Sequence, residues 1–351
     1  MNCTDTEPPA KTLLFVGTYT GQGSEGIYTL QFDPSTGALD SLQLRAKLPN
    51  PSFLAQTTDG AFLYAVQETA NFDEDGGGVT AFSVNDGHLE VLNSKGSGGA
   101  HPCHVSISEA GQLAVSNYTG GNVAVFDLES NGSLGHRQLL NHQPNDTAQV
   151  AHAHKALFMD ESLFVADLGL DALKRYRQDT NDWIPAQQAT LPLPKGAGPR
   201  HFTFSNGGNY LYVINELNAT ITVFQKDDKG HYLPVQTVTT VPKDWEGIRS
   251  CADIRLSADG HYLYGSNRGE NTVVIFAVDQ HSGKLTLVGR EPTQGDWPRN
   301  FTLSPDGQYL LVANQKSNNI TVFKRDLKAG TLSYSSSFSV GSPVCLVFSN
   351  L

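Results

Sequence analysis

The sequence of 351 residues contains only four cysteines, and their spacing excludes several kinds of site. No two of them form a CxxC pair, and none lies near histidines at the spacing of a zinc site. We interpret them as small buried side chains in a reducing compartment. The four are Cys3, Cys103, Cys251 and Cys345.

Positive charge and long apolar runs are also scarce. The chain has 24 lysines and arginines against 35 aspartates and glutamates, a net charge of −11, which argues against a nucleic-acid partner. No apolar run approaches the about 20 residues that a membrane helix needs, and no cleavable signal is recognisable. We expect a cytoplasmic monomer or weak dimer without a membrane span, preceded by a disordered segment over residues 1–10. The alternative is a periplasmic or lipid-anchored protein in which Cys3 follows a removed leader.

The motifs of several well-known enzyme classes are missing too. There is no GxSxG nucleophile elbow, no HExxH metal motif and no phosphate-binding P-loop. The His152-Ala153-His154 segment resembles a metal-binding pair, but it supplies only two ligands and would need Asp253 or Glu216 as a partner. We therefore expect neither a cofactor nor a metal.

What the sequence does contain is a repeat. A short apolar run that ends in a small polar residue, such as Leu211-Tyr212-Val213-Ile214-Asn215, occurs seven times along the chain. We call the last residue of each run its anchor, and successive anchors are 49, 50, 50, 48, 52 and 47 residues apart. The anchors are Thr18, Gln67, Asn117, Asp167, Asn215, Asn267 and Asn314. Seven units of this length are typical of a β-propeller.

Each unit reads as four strands, with two-residue periodicity and Gly, Asp or Asn in the turns. The sequence predicts an all-β fold, a single seven-bladed β-propeller over residues 11–351. Unit one lacks its own first strand, and the segment 343–349 resembles the first strands of other units, such as 199–205. We expect this C-terminal strand to complete the first blade and close the ring, which removes an open sheet edge.

Stacking the first strands of the units places polar side chains at one level of the central channel. The alignment groups Leu54, His104, His154, His201, Asp253, Asn300 and Cys345 in one layer. The residues one position earlier are Phe53, Cys103, Ala153, Arg200, Ala252, Arg299 and Val344. Apolar residues would pack better in a purely structural layer, so we interpret the polar set as a site.

The turns after the anchors add further polar groups at the same end of the channel. Glu216, Arg268 and Lys316 are predicted to occupy the same position in successive units, beside Asn215 and Gln315. The anchors of the first two units are Thr18 and Gln67 where several other units have Asn or Asp, so those two blades are expected to serve as scaffold more than as chemistry.

Several of these segments resemble the 6-phosphogluconolactonase family of seven-bladed propellers, which is related to fungal muconate-lactonising enzymes. They are 196–201, 215–218, 267–268, 298–299 and 315–317, and the resemblance covers nearly the whole chain after residue 11. It implies metal-independent, cofactor-free hydrolysis of a small sugar lactone, most simply a phosphorylated one. It also implies that His154, Glu216, Arg200 and Arg268 are the catalytic residues.

Lactone hydrolysis needs an activated water and a stabilised oxyanion. We expect His154 to be the base, Glu216 its orienting partner or the alternative base, and Arg200 and Arg268 the ligands of the oxyanion or carboxylate. Arg299, Lys316 and His201 are expected to hold the phosphate. The remaining candidate substrate-binding residues are His104, Asp253, Asn300, Asn215 and Gln315. Two other functions stay open: a muconate-type cycloisomerase, and a non-enzymatic propeller that binds a protein or polysaccharide.

Overall fold

A computed structural model of the chain describes residues 10–21, 23–74, 76–144 and 148–350. Cys3 and residues 1–9 of the segment predicted to be disordered lie outside the described residues. The described residues form 28 strands, which pair into seven four-stranded antiparallel sheets. None of these residues belongs to a helix long and apolar enough to cross a membrane.

The strands follow one another blade by blade. Blade 1 contains β1 (Thr12–Thr18), β2 (Gly26–Phe32) and β3 (Leu39–Lys47), and blade 2 contains β4 (Leu54–Gln56), β5 (Phe62–Gln67), β6 (Gly78–Asn85) and β7 (His88–Gly96). Blade 3 contains β8 (Pro102–Ile107), β9 (Gln112–Asn117), β10 (Asn122–Leu128) and β11 (Leu134–Asn141). Blade 4 contains β12 (Ala153–Met159), β13 (Ser162–Asp167), β14 (Ala172–Asp179) and β15 (Asp182–Pro192).

The remaining blades follow the same order. Blade 5 contains β16 (Pro199–Phe204), β17 (Tyr210–Asn215), β18 (Thr220–Lys226) and β19 (Tyr232–Thr239). Blade 6 contains β20 (Cys251–Leu256), β21 (Tyr262–Asn267), β22 (Thr272–Val278) and β23 (Leu285–Pro292). Blade 7 contains β24 (Pro298–Leu303), β25 (Tyr309–Asn314), β26 (Asn319–Arg325) and β27 (Leu332–Ser339), and β28 (Pro343–Phe348) ends the chain.

The last strand closes the ring, as the sequence predicts. β28 pairs antiparallel with β1, so the sheet order of blade 1 is β28-β1-β2-β3. The innermost strands β4, β8, β12, β16, β20, β24 and β28 each contact the innermost strands on either side, and β28 contacts both β24 and β4. These seven inner strands therefore surround one central channel.

The hydrophobic core lies between neighbouring blades. Tyr212 and Ile221 of blade 5 pack in one buried cluster with Leu263 and Val274 of blade 6, and other clusters join other pairs of blades. Tyrosine hydroxyls add hydrogen bonds across the blade boundaries, as from the Tyr264 hydroxyl to the carbonyl of Gly330 at 2.8 Å. Each blade is stabilised by both of its neighbours, so closing the ring matters to all of them.

A β-bulge in most inner strands sets which residues share a layer. In blade 5, Pro199 pairs with Asn215 and His201 with Ile214, so Arg200 is the extra residue. In blade 4, Ala153 pairs with Asp167 and Lys155 with Ala166, so the extra residue is His154. Extra residues in a bulge leave the hydrogen-bonded ladder and re-aim their side chains.

The observed register corrects the layers predicted from sequence in blades 2 and 4. The lower layer contains the residues opposite the position before each anchor: Phe53, His104, Lys155, His201, Asp253, Asn300 and Cys345. The upper layer contains the residues one position earlier: Ser52, Cys103, His154, Arg200, Ala252, Arg299 and Val344. The prediction of three histidines in one layer is therefore wrong, because His154 lies in the same layer as Arg200 and Arg299.

Candidate active site

The residue after each anchor lines the upper end of the channel. The backbone N–H of this residue donates to the carbonyl of the segment before the inner strand in all seven blades. The seven residues are Tyr19, Glu68, Tyr118, Leu168, Glu216, Arg268 and Gln315. Lys316, predicted to be equivalent to Glu216 and Arg268, lies one position further along and is exposed. We call this ring, together with the upper layer below it, the upper site.

Glu216 connects two arginines at the centre of the upper site. Its Oε2 atom lies 3.0 Å from Nε of Arg200, and its Oε1 atom lies 2.7 Å from an Nη atom of Arg268. Both arginines are almost fully buried, and each also donates to a backbone carbonyl of blade 6. The sequence predicts that Glu216 contacts His154, but no hydrogen bond joins these two side chains among the described residues. Glu216 orients the two arginines instead.

Arg268 and Lys316 share the indole ring of Trp297. The guanidinium carbon of Arg268 lies 5.3 Å from the ring centroid, and the Lys316 ammonium lies 3.3 Å from the centroid of the same ring. Both are within cation–π distance. Trp297 immediately precedes the Pro298-Arg299 segment, but sequence reasoning did not select it. It holds two of the predicted cations at the rim of the upper site.

Blades 1 and 2 contribute directly to the upper site, contrary to the prediction that they act mainly as scaffold. An Nη atom of Arg299 donates to the Tyr19 hydroxyl at 2.7 Å, and that hydroxyl donates to Oε2 of Glu68 at 2.8 Å. Ser52 also donates to Glu68. Burial raises the pKa of Tyr19, which keeps the phenol protonated as the donor that Glu68 requires. Arg299 is thereby held by Tyr19 of blade 1 and Glu68 of blade 2, and Ser52 holds Glu68.

His154 lies beside the arginines with a buried, neutral imidazole. Its ring contacts those of Tyr118 and His201, with centroids 5.6 and 5.2 Å apart, and its Nδ1 atom lies 3.8 Å from Sγ of Cys103. Burial, reinforced by the positive charge of Arg200, lowers the pKa of His154 well below 6.5. A neutral imidazole is the form that accepts a proton.

The lower layer forms a hydrogen-bonded partition across the channel. Nδ1 of His201 lies 2.8 Å from Oδ1 of Asp253, and Nδ2 of Asn300 donates to Oδ2 of the same aspartate at 2.7 Å. The rings of His104 and His201 lie 5.6 Å apart, and Phe53 packs against both. Four of the predicted substrate-binding residues, His104, His201, Asp253 and Asn300, therefore lie together one layer below His154.

The two remaining candidates, Asn215 and Gln315, differ in their positions. Asn215 is fully buried and donates to the hydroxyls of Thr220 and Thr222 at 2.9 and 3.1 Å, which places its amide within the β17–β18 hairpin. Gln315 occupies the seventh position of the upper ring, and its side-chain oxygen is buried without a hydrogen-bond partner among the described residues.

His152 does not extend the His154 position into a metal site. Its ring stacks on Tyr118 at 4.5 Å, and its Nδ1 atom lies 3.0 Å from the carbonyl oxygen of the same residue. Within the part of the chain that the structure describes, no group of three His, Cys, Asp or Glu side chains is placed to hold a metal ion.

The upper site carries net positive charge in a protein that is acidic overall. Three arginines, Arg200, Arg268 and Arg299, face two glutamates, Glu68 and Glu216. Burial, together with the repulsion from Arg268 and Arg299, lowers the pKa of Arg200 to about 10. A bound or developing anion relieves that repulsion, and arginine donors suit oxyanions and phosphates equally. Beside them lies a neutral imidazole, so the arrangement can combine proton removal with anion stabilisation.

Residues 13–348 match the family described as a lactonase with a seven-bladed β-propeller. The 6-phosphogluconolactonase of Bacillus subtilis is 35% identical over 302 residues, which cover 83% of this chain and 84% of that protein. The 6-phosphogluconolactonase of Formosa agariphila is 36% identical over 309 residues, with coverage of 83% and 86%. The periplasmic gluconolactonase of Pseudomonas aeruginosa superposes with a TM-score of 0.91 at 35% identity, over 97% of this chain and 99% of that one.

Proposed function

Because the chain belongs to the lactonase family of seven-bladed β-propellers, we propose that it hydrolyses 6-phospho-D-glucono-1,5-lactone to 6-phosphogluconate. The observation that carries this proposal is the upper site, where the neutral imidazole of His154 lies beside Arg200, Arg268 and Arg299. Hydrolysis of a lactone needs a base and hydrogen-bond donors for the oxyanion. A phosphorylated lactone also has a phosphate group that the site must bind.

The reaction follows from these groups. A water oxygen bonds to the carbonyl carbon of the lactone while His154 accepts the proton of that water. The negative charge that develops on the former carbonyl oxygen is stabilised by Arg200 and Arg268, whose positions are fixed by Glu216. A well-placed donor of this kind is worth about 3–4 kcal/mol. The bond from the carbonyl carbon to the ring oxygen then breaks, and the imidazolium returns the proton to that oxygen.

His154 is favoured over Glu216 as the base. Both carboxylate oxygens of Glu216 lie within 3.0 Å of an arginine nitrogen, so proton transfer to Glu216 would cost two ion pairs in a largely buried position. The imidazole of His154 has no such partner competing for its proton.

The phosphate is assigned to Arg299 and Lys316. Arg299 is held at the edge of the upper site by Tyr19, and the Lys316 ammonium lies over Trp297 at the rim. The sequence also favours His201 for this role, but its Nδ1 atom is bonded to Asp253 in the lower layer. We assign to His201 the positioning of the His154 ring that it contacts.

The deciding experiment is stopped-flow hydrolysis of 6-phosphogluconolactone and of gluconolactone, corrected for spontaneous ring opening. We expect a higher kcat/KM for the phosphorylated substrate. The reverse order would favour an unphosphorylated lactone, the substrate class in the name of the Pseudomonas aeruginosa protein. Hydrolysis of neither would remove the proposed function.

Replacing Arg299 with methionine should raise KM for the phosphorylated lactone by about tenfold to a hundredfold, since one hydrogen bond to a charged group contributes about 1.5–3 kcal/mol. Lys316→Met should act in the same direction. KM for gluconolactone should change by less than about threefold in either variant. Lys284→Met, at an exposed turn between β22 and β23, is the matched control. Equal effects on both substrates would show that neither residue binds the phosphate.

We also propose that hydrolysis needs no metal ion, because arginines supply the positive charge at the oxyanion. Dialysis against EDTA should leave kcat/KM unchanged with either lactone. Loss of activity that Mg²⁺, Mn²⁺ or Zn²⁺ restores would contradict this proposal while leaving the lactonase assignment intact.

A further inference from the structure

The other half of the central channel holds a second, separate cavity. It has a volume of about 1080 Å³ and reaches from His104 and Asp253 of the lower layer to the turns at the opposite end of the inner strands. The partition of Phe53, His104 and His201 separates it from the upper site. We call it the lower cavity. Its volume is at the upper end of the range for small-molecule sites.

The lower cavity contains a cation without a counter-charge of its own. Lys155, the bulge neighbour of His154, lines the cavity, and its ammonium makes no hydrogen bond or ion pair to any described residue. The ammonium lies 5.6 Å from the ring centroid of Phe202. Burial lowers the pKa of Lys155 to about 8, although the negative charge of Asp253 acts in the opposite direction.

The other charged groups at this depth do not balance Lys155. Arg255 also lines the cavity, and its Nε atom lies 3.4 Å from Oδ2 of Asp253. That single carboxylate is already shared with His201 and Asn300. At this depth two cations therefore face one anion. The other carboxylates that line the cavity, Asp59, Glu109, Asp259 and Asp306, are exposed in the turns at its far end, where Asp259 pairs with Arg325.

His104, at the inner end of the same cavity, carries an unpartnered polar atom. His104 is 3% exposed, lines the lower cavity, and has an Nδ1 atom without a hydrogen-bond partner among the described residues. Burial lowers the pKa of His104 well below 6.5, so its ring is neutral and offers one donor and one acceptor. Buried polar atoms of this kind are normally satisfied, which points to a ligand.

We propose that the lower cavity is a second ligand site that takes a small organic anion, whose carboxylate or phosphate group lies between Lys155 and Arg255. One such group neutralises the excess positive charge at the depth of Lys155 and Arg255. The apolar lining, which includes Leu157 and Leu256, covers the remainder of the ligand. This site is independent of lactone hydrolysis, because the partition keeps its ligand apart from His154 and Glu216.

The test is calorimetric titration of the full chain with gluconate, inorganic phosphate and, as the uncharged control, glucose. Because the upper site can bind the same anions, the titration is run in Arg268→Met, which alters only the upper site, as well as in the unaltered protein. In both backgrounds Lys155→Met should weaken one class of anion site by about tenfold to a hundredfold, the range that one hydrogen bond to a charged group supplies. Lys174→Met, on β14 of the same blade, should leave that class unchanged.

Mass-spectrometric mapping of trace reductive methylation locates the ligand without relying on a variant. Anion should slow the labelling of Lys155 in the unaltered protein and in Arg268→Met, whereas glucose should not. Protection by phosphate alone identifies a phosphate group as the ligand, and protection by gluconate alone identifies a carboxylate. Anion binding that Lys155→Met leaves wholly unchanged in the Arg268→Met background, protection that Arg268→Met abolishes, or no binding by either anion would each overturn the proposal.

Discussion

Replacing His154 with alanine is expected to lower kcat/KM for lactone hydrolysis by about two to four orders of magnitude, the contribution of a general base. The side chain is buried beside three arginines, carries a neutral imidazole, and is the proton acceptor that we propose for the upper site. Stopped-flow hydrolysis checks the rate, and circular dichroism checks that the fold survives. His136→Ala, at an exposed position of β11, is the matched control and should retain full activity.

The pH profile separates His154 from Glu216. A base must be unprotonated, so kcat/KM rises with pH through the pKa of His154, and burial and Arg200 place that pKa well below 6.5. We expect full activity at pH 6.5, an acid limb below it, and no such limb in the residual activity of His154→Ala. Gluconolactone is the substrate to use, because a phosphate ester titrates near a pKa of about 6.

Glu216→Gln keeps the shape of the side chain and removes its charge. We expect it to lower activity while preserving the acid limb, since Arg200 and Arg268 lose their orienting carboxylate but His154 remains. Abolished activity in Glu216→Gln, together with a loss under about tenfold in His154→Ala, would reverse the two roles. If neither substitution matters, the upper site is not the active site.

Removal of residues 342–351 is expected to lower the melting temperature by about 10–20 °C. The deletion takes away β28, and with it the buried side chains of Leu346 and Phe348 that belong to the core between blades 1 and 7. Losing two such side chains lowers the free energy of unfolding by about 5–10 kcal/mol. For a chain of this size each kcal/mol lowers the melting temperature by about 2 °C. The backbone pairing of β1 is lost as well.

Calorimetry of the truncated chain beside Val91→Ala checks this prediction. Val91 is 63% exposed on the outer strand β7, so its truncation should barely change the melting temperature. A chain without residues 342–351 that melts within about two degrees of the full protein would show that β28 is not needed to hold the ring.

The propeller and its closure were predictable because both depend on patterns that repeat. Seven anchors at nearly equal spacing define the blades, and the C-terminal segment carries the same strand pattern as 199–205. The pairing register of the strands within each blade was harder to predict from the sequence. Residues 160–161 join β12 to β13, whereas residues 205–209 join β16 to β17. Because these turns differ in length, counting back from the anchor does not reach equivalent residues in every blade. The sequence therefore aligns His154 with His201, whereas the structure places it at the level of Arg200.

Tyr19, Glu68 and Lys155 were not predicted as site residues, each for an identifiable reason. Tyr19 and Glu68 come directly after Thr18 and Gln67, the anchors that differ most from the others, and blades 1 and 2 were set aside on that basis. Taking the residue after every anchor, whatever the anchor is, would have found them. Lys155 stood next to His154 in the sequence, and only the bulge shows that the two face opposite halves of the channel.

The bulges give the molecule a modular route to new specificities. An upper-layer side chain at a bulge lies outside the hydrogen-bonded ladder, so exchanging it leaves the backbone pairing of its blade in place. Three of the seven positions, His154, Arg200 and Arg299, hold residues to which we assign chemistry, whereas Ser52, Cys103, Ala252 and Val344 present small or apolar groups. Ala252 and Val344 thus have no polar side chain, and a single substitution at either position would add a hydrogen-bond donor or a charge to the upper layer. A ring of repeats built this way can change its substrate one blade at a time.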